Sequence, residues 1–238
     1  MSYNLTPYHL ITQYQAVQTR LKSACQLAQR PLSSVKLLAV SKTKPIEAIE
    51  TLAQAGQLAF GENYVQESLT KIAQRPDLEW HFIGPIQSNK TKPIAEHFAW
   101  VHSVDRLKIA QRLSQQRPNH LPPLNILLEV NISAQPSKAG FTPQEVIDNM
   151  ATISALPHLV VRGLMAIPEP ASTLDAQRQP FAQMHALLKT LQTAHPELPL
   201  DTLSMGMSGD LEAAILEGAT LVRIGTDIFG ARDYPKNA

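Results

Sequence analysis

The chain has 238 residues, 44% of them hydrophobic and 17% charged, with a formal net charge of +1. That composition supports a packed core and excludes disorder, and with no basic run longer than a pair it offers no footprint for nucleic acid or an anionic membrane. The single cysteine, Cys25, excludes an internal disulfide and a multi-cysteine metal site.

At the start, Met1-Ser2-Tyr3-Asn4 has no basic lead into an apolar stretch, and no later run approaches ~18 apolar residues. A cytoplasmic protein without a membrane span is expected. Residues from about Thr6 to Arg30 carry helical spacing (Tyr14, Val17, Leu21, Ala24, Ala28), which predicts an N-terminal helix ended by Pro31 and makes Cys25 a packed thiol. Leu37-Leu38-Ala39-Val40 then runs into Ser41-Lys42-Thr43-Lys44-Pro45, and an apolar run bounded in this way reads as a strand buried on both faces. A helical pattern from Ile46 to Ala55 is closed by Gly56.

Leu58 to Asn63 predicts a second strand, leading into a helix that carries Val65, Leu69 and Ile72. Trp80 to Gly84 predicts a third strand, Trp100 to Ser103 a fourth and Asn125 to Asn131 a fifth. Val160 to Ala166, Thr202 to Gly206 and Leu221 to Thr226 complete the set of eight. Short apolar strands separated by helical segments indicate parallel βαβ units. Their number and the length fit an α/β fold of the (β/α)8 TIM-barrel type, usually about 250 residues. The expectation is one domain over 1–238 with an extra N-terminal helix. A doubly wound sheet would show a glycine fingerprint after an early strand, and none is present. Segments near Pro118, Pro122 and Pro168 read as loops within the domain.

In such a barrel the reactive groups sit at the C-terminal strand ends. Those ends carry Lys42, Asn63, His81, Asn131, Met165, Ser208 and the Gly225-Thr226 pair. Lys42 either marks a strand end and reaches into solvent, or loses hydration, falls in pKa and attacks a carbonyl to form a Schiff base. The loops after strands seven and eight often bind phosphate. Ser208 reads as an N-cap, Gly209 lets a ligand approach the backbone, and Gly225 and Thr226 add amides and a hydroxyl. A carbonyl-reactive lysine opposite two phosphate loops suggests pyridoxal 5'-phosphate, an aldehyde that carries a phosphate. Arg223 shares the face of Gly225, so it either hydrogen bonds the pyridine nitrogen or pairs with Glu129 or Glu62. The histidines show no paired metal spacing, so no metal site is expected and His81 reads as a pocket or core residue.

Ala39 to Pro45, Phe60-Gly61-Glu62-Asn63-Tyr64-Val65-Gln66-Glu67 and Trp80 to Lys90 resemble motifs of the pyridoxal-phosphate homeostasis protein family (the YggS/PROSC group). So do Ser204-Met205-Gly206-Met207-Ser208-Gly209-Asp210 and Arg223-Ile224-Gly225-Thr226-Asp227-Ile228-Phe229-Gly230, in order from about residue 35 to 232. The resemblance implies a barrel like the N-terminal domain of alanine racemase, with pyridoxal phosphate on Lys42. It also implies phosphate contacts from Ser208, Gly209, Gly225 and Thr226, Arg223 near the ring nitrogen, and Asn63 as a further contact. The segment from Asn131 to Gly140 is similar to the family's lysine-glycine loop but has Gln135-Pro136 where an acidic residue is expected, so Lys138 is assigned no role.

Three functions compete. The first is a monomeric vitamin B6 homeostasis protein that buffers pyridoxal phosphate or delivers it to apo PLP-dependent enzymes, without catalysis. In its favour, a racemase would need a second acid-base group from an added β domain, whereas this sequence ends twelve residues after Thr226, with Tyr234 as the one candidate. The second is a PLP-dependent racemase or lyase with a relay through His81 or Tyr64. The third is a Schiff-base aldolase acting on a phosphorylated sugar.

Overall fold

The computed structural model describes residues 6–230. Tyr234 and the terminal residues around it lie outside that range. Eight parallel strands close into a barrel in sequence order: β1 Lys36–Val40, β2 Ala59–Glu62, β3 Glu79–Phe82, β4 Trp100–Val104, β5 Leu124–Glu129, β6 Leu159–Met165, β7 Thr202–Ser204 and β8 Leu221–Ile224. Closure comes from β8 pairing with β1, Leu38 opposite Arg223 and Ala39 opposite Ile224. The intervening helices are α2 Ile46–Gln54, α3 Val65–Gln74, α4 Thr91–His97, α5 Leu107–Gln116, α6 Pro143–Ser154, α7 Leu174–Ala194 and α8 Leu211–Leu216, and a short α9, Thr226–Phe229, follows β8. The (β/α)8 barrel expected from the strand count is therefore the fold.

The extra helix α1, Pro7–Leu27, lies against α2, α8 and α9 and covers the seam where β8 meets β1. Thr6 caps it by accepting from the His9 amide at 3.3 Å. Its end comes before the expected Pro31 stop, because Gln29 takes a left-handed turn at φ 53° and leads the chain back toward β1. Tyr14, Val17, Leu21, Ala24 and Cys25 are buried in one stripe, so the thiol is packed.

Strand alternation separates two interiors. Ala39, Phe60, Trp80 and Phe82 join the main apolar core between sheet and helices. Leu38, Ala59 and Leu221, with Ile83 packed on them, form a small cluster inside the barrel. A side chain on Gly61 would meet Leu38 and Ile83 at 3.1 Å, so this glycine leaves room within that narrow space. Among the described residues no helix is long and apolar enough to cross a membrane. No group of three or more His, Cys, Asp or Glu among them could hold a metal ion.

Candidate functional site

Lys42 lies just beyond β1 and is half-buried. Ser41 extends the ladder, its amide donating to Gly61 at 3.0 Å. The Ser41 hydroxyl turns outward and donates to Glu62 at 2.6 Å. Since alternate residues of a strand point to opposite faces, Lys42 falls on the side of Leu38, toward the barrel axis.

A buried charge cluster braces this turn from behind. Lys71 on α3 donates to the Ser41 carbonyl at 2.9 Å, to Glu62 at 2.8 Å and to Glu67. Glu67 also accepts from the Thr43 amide at 2.7 Å. Both neighbours of Lys42 are thus tied to one ammonium-carboxylate cluster. Thr43 is held at φ 62°, a left-handed conformation that costs a β-branched residue energy. Glu62 is 0% exposed and Lys71 5%. Burial raises the Glu62 pKa, opposed by the Lys71 charge and by hydrogen bonds from Lys71 and Ser41.

The loops after β7 and β8 meet beside this turn. A Cβ on Gly225 would lie 3.3 Å from both Cβ and the carbonyl oxygen of Val40, so the β8 loop is packed directly on the end of β1. The Asp227 amide reaches the Ser208 hydroxyl at 3.4 Å, joining the two loops. Ser208 is not the helix cap expected from its position. Asp210 occupies the N-cap of α8, and its carboxylate accepts from the Met207 amide at 2.6 Å, folding the loop back on itself. That frees Ser208 to face the β8 loop. Among the described residues no protein group accepts from the amides of Ser208, Gly209 or Thr226. A side chain built on Gly209 would meet nothing within 4 Å, so its backbone faces open space.

Arg20 on α1 braces both loops from outside, a role its place in a surface helix does not advertise. Its guanidinium makes a bidentate pair with Glu212, both bonds at 2.9 Å, an ion pair with Asp227, and a hydrogen bond to the Ser208 carbonyl at 3.1 Å.

Asn63 follows β2 at the same end of the barrel. Its Oδ1 is buried and has no hydrogen-bond partner among the described residues. Gly84 makes room for it, since a Cβ there would sit 2.3 Å from the Asn63 carbonyl oxygen. Arg223 is 4% exposed on β8. It donates to the Ser204 hydroxyl at 2.7 Å and the Ala166 carbonyl at 3.0 Å, not to Glu129 or Glu62, which removes the ion-pair alternative. Burial draws its pKa down to about 10, against the pull of Asp210 and Glu129, so it remains a cation at neutral pH.

Glu129, which its sequence position marks only as an ion-pair candidate for Arg223, ends β5 as a titratable group. Burial first, then repulsion from Asp105, pushes its pKa to about 7, with Arg223 and Lys138 opposing. Tyr64 is 51% exposed, and Lys138 reaches the Ile167 carbonyl from an exposed loop. Asn131 closes its own loop, exchanging hydrogen bonds with the Gln135 backbone at 2.8 and 3.1 Å. His81 is fully buried inside the barrel. A cavity of about 730 Å³ lies at the opposite end, between α1 and the N-terminal ends of the early strands, where Lys36, Gln57 and Glu79 line it. It includes none of the residues gathered at the strand ends.

Residues 13–233 match the family described as alanine racemase, N-terminal domain. The chain is 57% identical over 224 residues to the pyridoxal phosphate homeostasis protein of Pasteurella multocida, covering 92% of this chain and 96% of the relative. PipY of Synechococcus elongatus, solved with PLP bound, superposes with a TM-score of 0.78 at 39% identity, covering 90% of this chain and 100% of PipY. The alanine racemase of Corynebacterium glutamicum shares the barrel at 16% identity and a TM-score of 0.66, covering 94% of this chain and 62% of the racemase.

Proposed function

This chain belongs to the pyridoxal phosphate homeostasis protein family, within the wider alanine racemase N-terminal domain family, and from that premise we propose that it binds pyridoxal 5'-phosphate at the C-terminal mouth of the barrel and stores or delivers it. The observation that carries this reading is the packing of Gly225 on Val40, which sets the joined phosphate-type loops beside the turn that bears Lys42.

The residues present fit the cofactor. The amides of Ser208, Gly209 and Thr226, which no described protein group engages, suit a phosphate dianion, and Gly209 leaves space for it. The buried Oδ1 of Asn63, without a partner among the described residues, can accept from the phenolic hydroxyl. Arg223, donor-only and held in place by Ser204 and Ala166, suits the ring nitrogen and would leave it unprotonated. Lys42 supplies the amine for covalent attachment. When bound, the cofactor contributes an aldehyde that condenses with amines and a ring that accepts electrons.

In this reading the protein acts as one monomeric binding domain over 1–238, in the cytoplasm, and passes its cargo to apo-enzymes; the relatives' name, pyridoxal phosphate homeostasis protein, supports the homeostasis role. Catalysis at an amino-acid Cα needs positioned acid-base groups on the substrate and an electron-accepting ring. An unprotonated ring nitrogen beside Arg223 weakens the second requirement. Glu129, with a pKa near 7, is the one observation that favours the alternative, a racemase or lyase. The purified protein is loaded with the cofactor, reduced with borohydride and mapped by peptide mass. One pyridoxyl group on Lys42, absent in Lys42→Ala, is expected, and label mainly on Lys44 or Lys138 would overturn the assignment. The loaded protein should reactivate an apo-enzyme at a rate set by its concentration. Solvent deuterium entering Cα of an amino acid at catalytic rates, and not in Lys42→Ala, would favour the enzyme instead.

A further inference from the structure

Behind Arg223 and Ser204 the inside of the barrel holds a continuous polar chain that extends far beyond the strand ends. Arg223 Nη1 lies 2.7 Å from Ser204 Oγ, Ser204 Oγ 2.8 Å from His102 Nδ1, and His102 Nε2 2.8 Å from His81 Nδ1. His81 Nε2 then contacts the carboxylate of Glu79, which also pairs with Lys36. The chain crosses β8, β7, β4 and β3. It runs from the strand ends of the candidate site to the cavity at the opposite end, where Glu79 and Lys36 form part of the lining.

We propose that Ser204, His102 and His81 form a one-way hydrogen-bond relay, anchored at Glu79, that positions Arg223 from within the barrel. The two ends dictate the direction. A guanidinium only donates and an ionised carboxylate only accepts, while a neutral imidazole donates from one nitrogen and accepts at the other. Arg223 donates to Ser204, so the Ser204 proton is directed to His102 Nδ1. His102 then carries its proton on Nε2 and gives it to His81 Nδ1, and His81 donates from Nε2 to Glu79. Every polar atom in the chain is satisfied with both rings neutral. Reversal would need a proton added to His81, so that its Nδ1–H donates to His102 and His102 donates from Nδ1 to Ser204. Ser204 would then hold two donors and would have to turn its own proton elsewhere, loosening the seat of Arg223.

The surroundings oppose that added proton. Burial lowers the pKa of both histidines, with His102 well below the ordinary imidazole value, and only Glu79 pulls His81 upward. The groups facing the relay are Lys36 beyond Glu79, the Trp100 ring stacked on His81 at 5.5 Å, and Arg223 with Asp210 and Glu129 near it. Lys36 and Arg223 repel a cationic histidine, and Trp100 carries no charge. The two acids act on Arg223. The relay therefore keeps Arg223 fixed and the imidazoles neutral across the physiological range, so that a ring resting on Arg223 meets one constant electrostatic partner.

This inference rests on the reading that Arg223 meets the cofactor ring, and its test separates the two. In the cofactor-free full chain with 15N-labelled histidine, NMR should show His81 and His102 as Nε2–H tautomers at neutral pH. An Nδ1–H tautomer on either overturns the relay, whether or not the cofactor binds. In the loaded protein, Ser204→Ala should weaken cofactor retention roughly tenfold, the loss expected for a hydrogen bond to a charged group, and Ser204→Thr should restore it. Glu79→Gln, at the far end, should shift the pH at which the bound-cofactor absorbance changes. A merely structural role for Glu79 would lower thermal stability and leave that profile where it is. An unmoved profile in Glu79→Gln alongside wild-type retention in Ser204→Ala overturns the proposal. If Ser204→Ala does not fold, the tautomers and Glu79→Gln decide. A wild-type chain that takes up no cofactor would end the binding proposal while leaving the tautomer result to judge the relay.

Discussion

The Lys71 ammonium donates to the Ser41 carbonyl at 2.9 Å, so a buried cation on α3 holds the backbone immediately before Lys42. Removing a lone partner from a buried ion pair costs about 3–5 kcal/mol, because the other charge is left uncompensated. Lys71→Met should therefore destabilise the fold by that order in urea titration and slow cofactor uptake. Pairing it with Glu62→Gln should recover much of the stability but not the uptake rate, since Ser41 and Thr43 would still have lost their brace. Wild-type uptake by the double variant would show that the cluster serves the fold alone.

Ser208→Ala with Thr226→Val should weaken binding of pyridoxal phosphate and spare pyridoxal, which has no phosphate to lose. Each hydrogen bond is worth about 0.5–1.5 kcal/mol, and more to a charged group. Gly209→Ala should leave the melting temperature unchanged, since its Cβ meets nothing within 4 Å, yet reduce phosphate-ligand affinity by filling that space. Equal losses for both ligands in calorimetry would remove the phosphate from these loops.

Arg20→Ala should separate stability from binding in a different way. Its partners are partly exposed, with side-chain accessibility of 37% for Arg20 and 41% for Glu212, so the pairs contribute only about 0–1 kcal/mol each to stability. The same variant frees the Ser208 carbonyl, Glu212 and Asp227 together, and should raise the cofactor dissociation rate several-fold. A fall in melting temperature with unchanged dissociation would contradict this.

Glu129 makes a pH prediction. Its folded pKa, about 7, lies above the ordinary carboxyl value of 4.5, so the folded state binds the proton more tightly. The associated stability is present in full below the unfolded pKa. It declines as pH rises from about 4.5 through 7, and the loss is complete above that. A shift of this size corresponds to roughly 2–3 kcal/mol after allowance for solvent screening. Glu129→Gln should match the wild type in melts at pH 4 and exceed it at pH 8. A constant difference across that range would mean Glu129 titrates normally.

Much of this architecture can be read along the chain because a (β/α)8 barrel repeats one local unit. Leu37 to Val40, Asn125 to Glu129 and Leu221 to Ile224 each show the short apolar run of a strand covered on both faces, and Gly56 shows the stop of the helix that follows the first of them. Residues that follow such runs must reach the same rim, so Lys42, Asn63 and Thr226 could be placed together before any contact was known. Ser208 lies on the loop after β7 that its position in the sequence indicates, but the cap of α8 is Asp210. A serine followed by Gly-Asp-Leu satisfies the cap preference at two positions, and the loop's return to Met207 decided for Asp210.

Composition and periodicity thus determined the fold and the rim on which Lys42 lies, because burial alternation and turn residues act over a few positions. Tertiary structure alone decided who meets whom across the barrel. His102 and Ser204 are 102 residues apart in sequence, and Arg20 is 192 residues from Glu212. A polar residue in a strand shows that it needs a partner once buried, but its own sequence neighbourhood does not name one. Only closure of the sheet brings β3, β4, β7 and β8 close enough for donors to find acceptors. That closure turns four unremarkable polar residues into one connected chain behind Arg223.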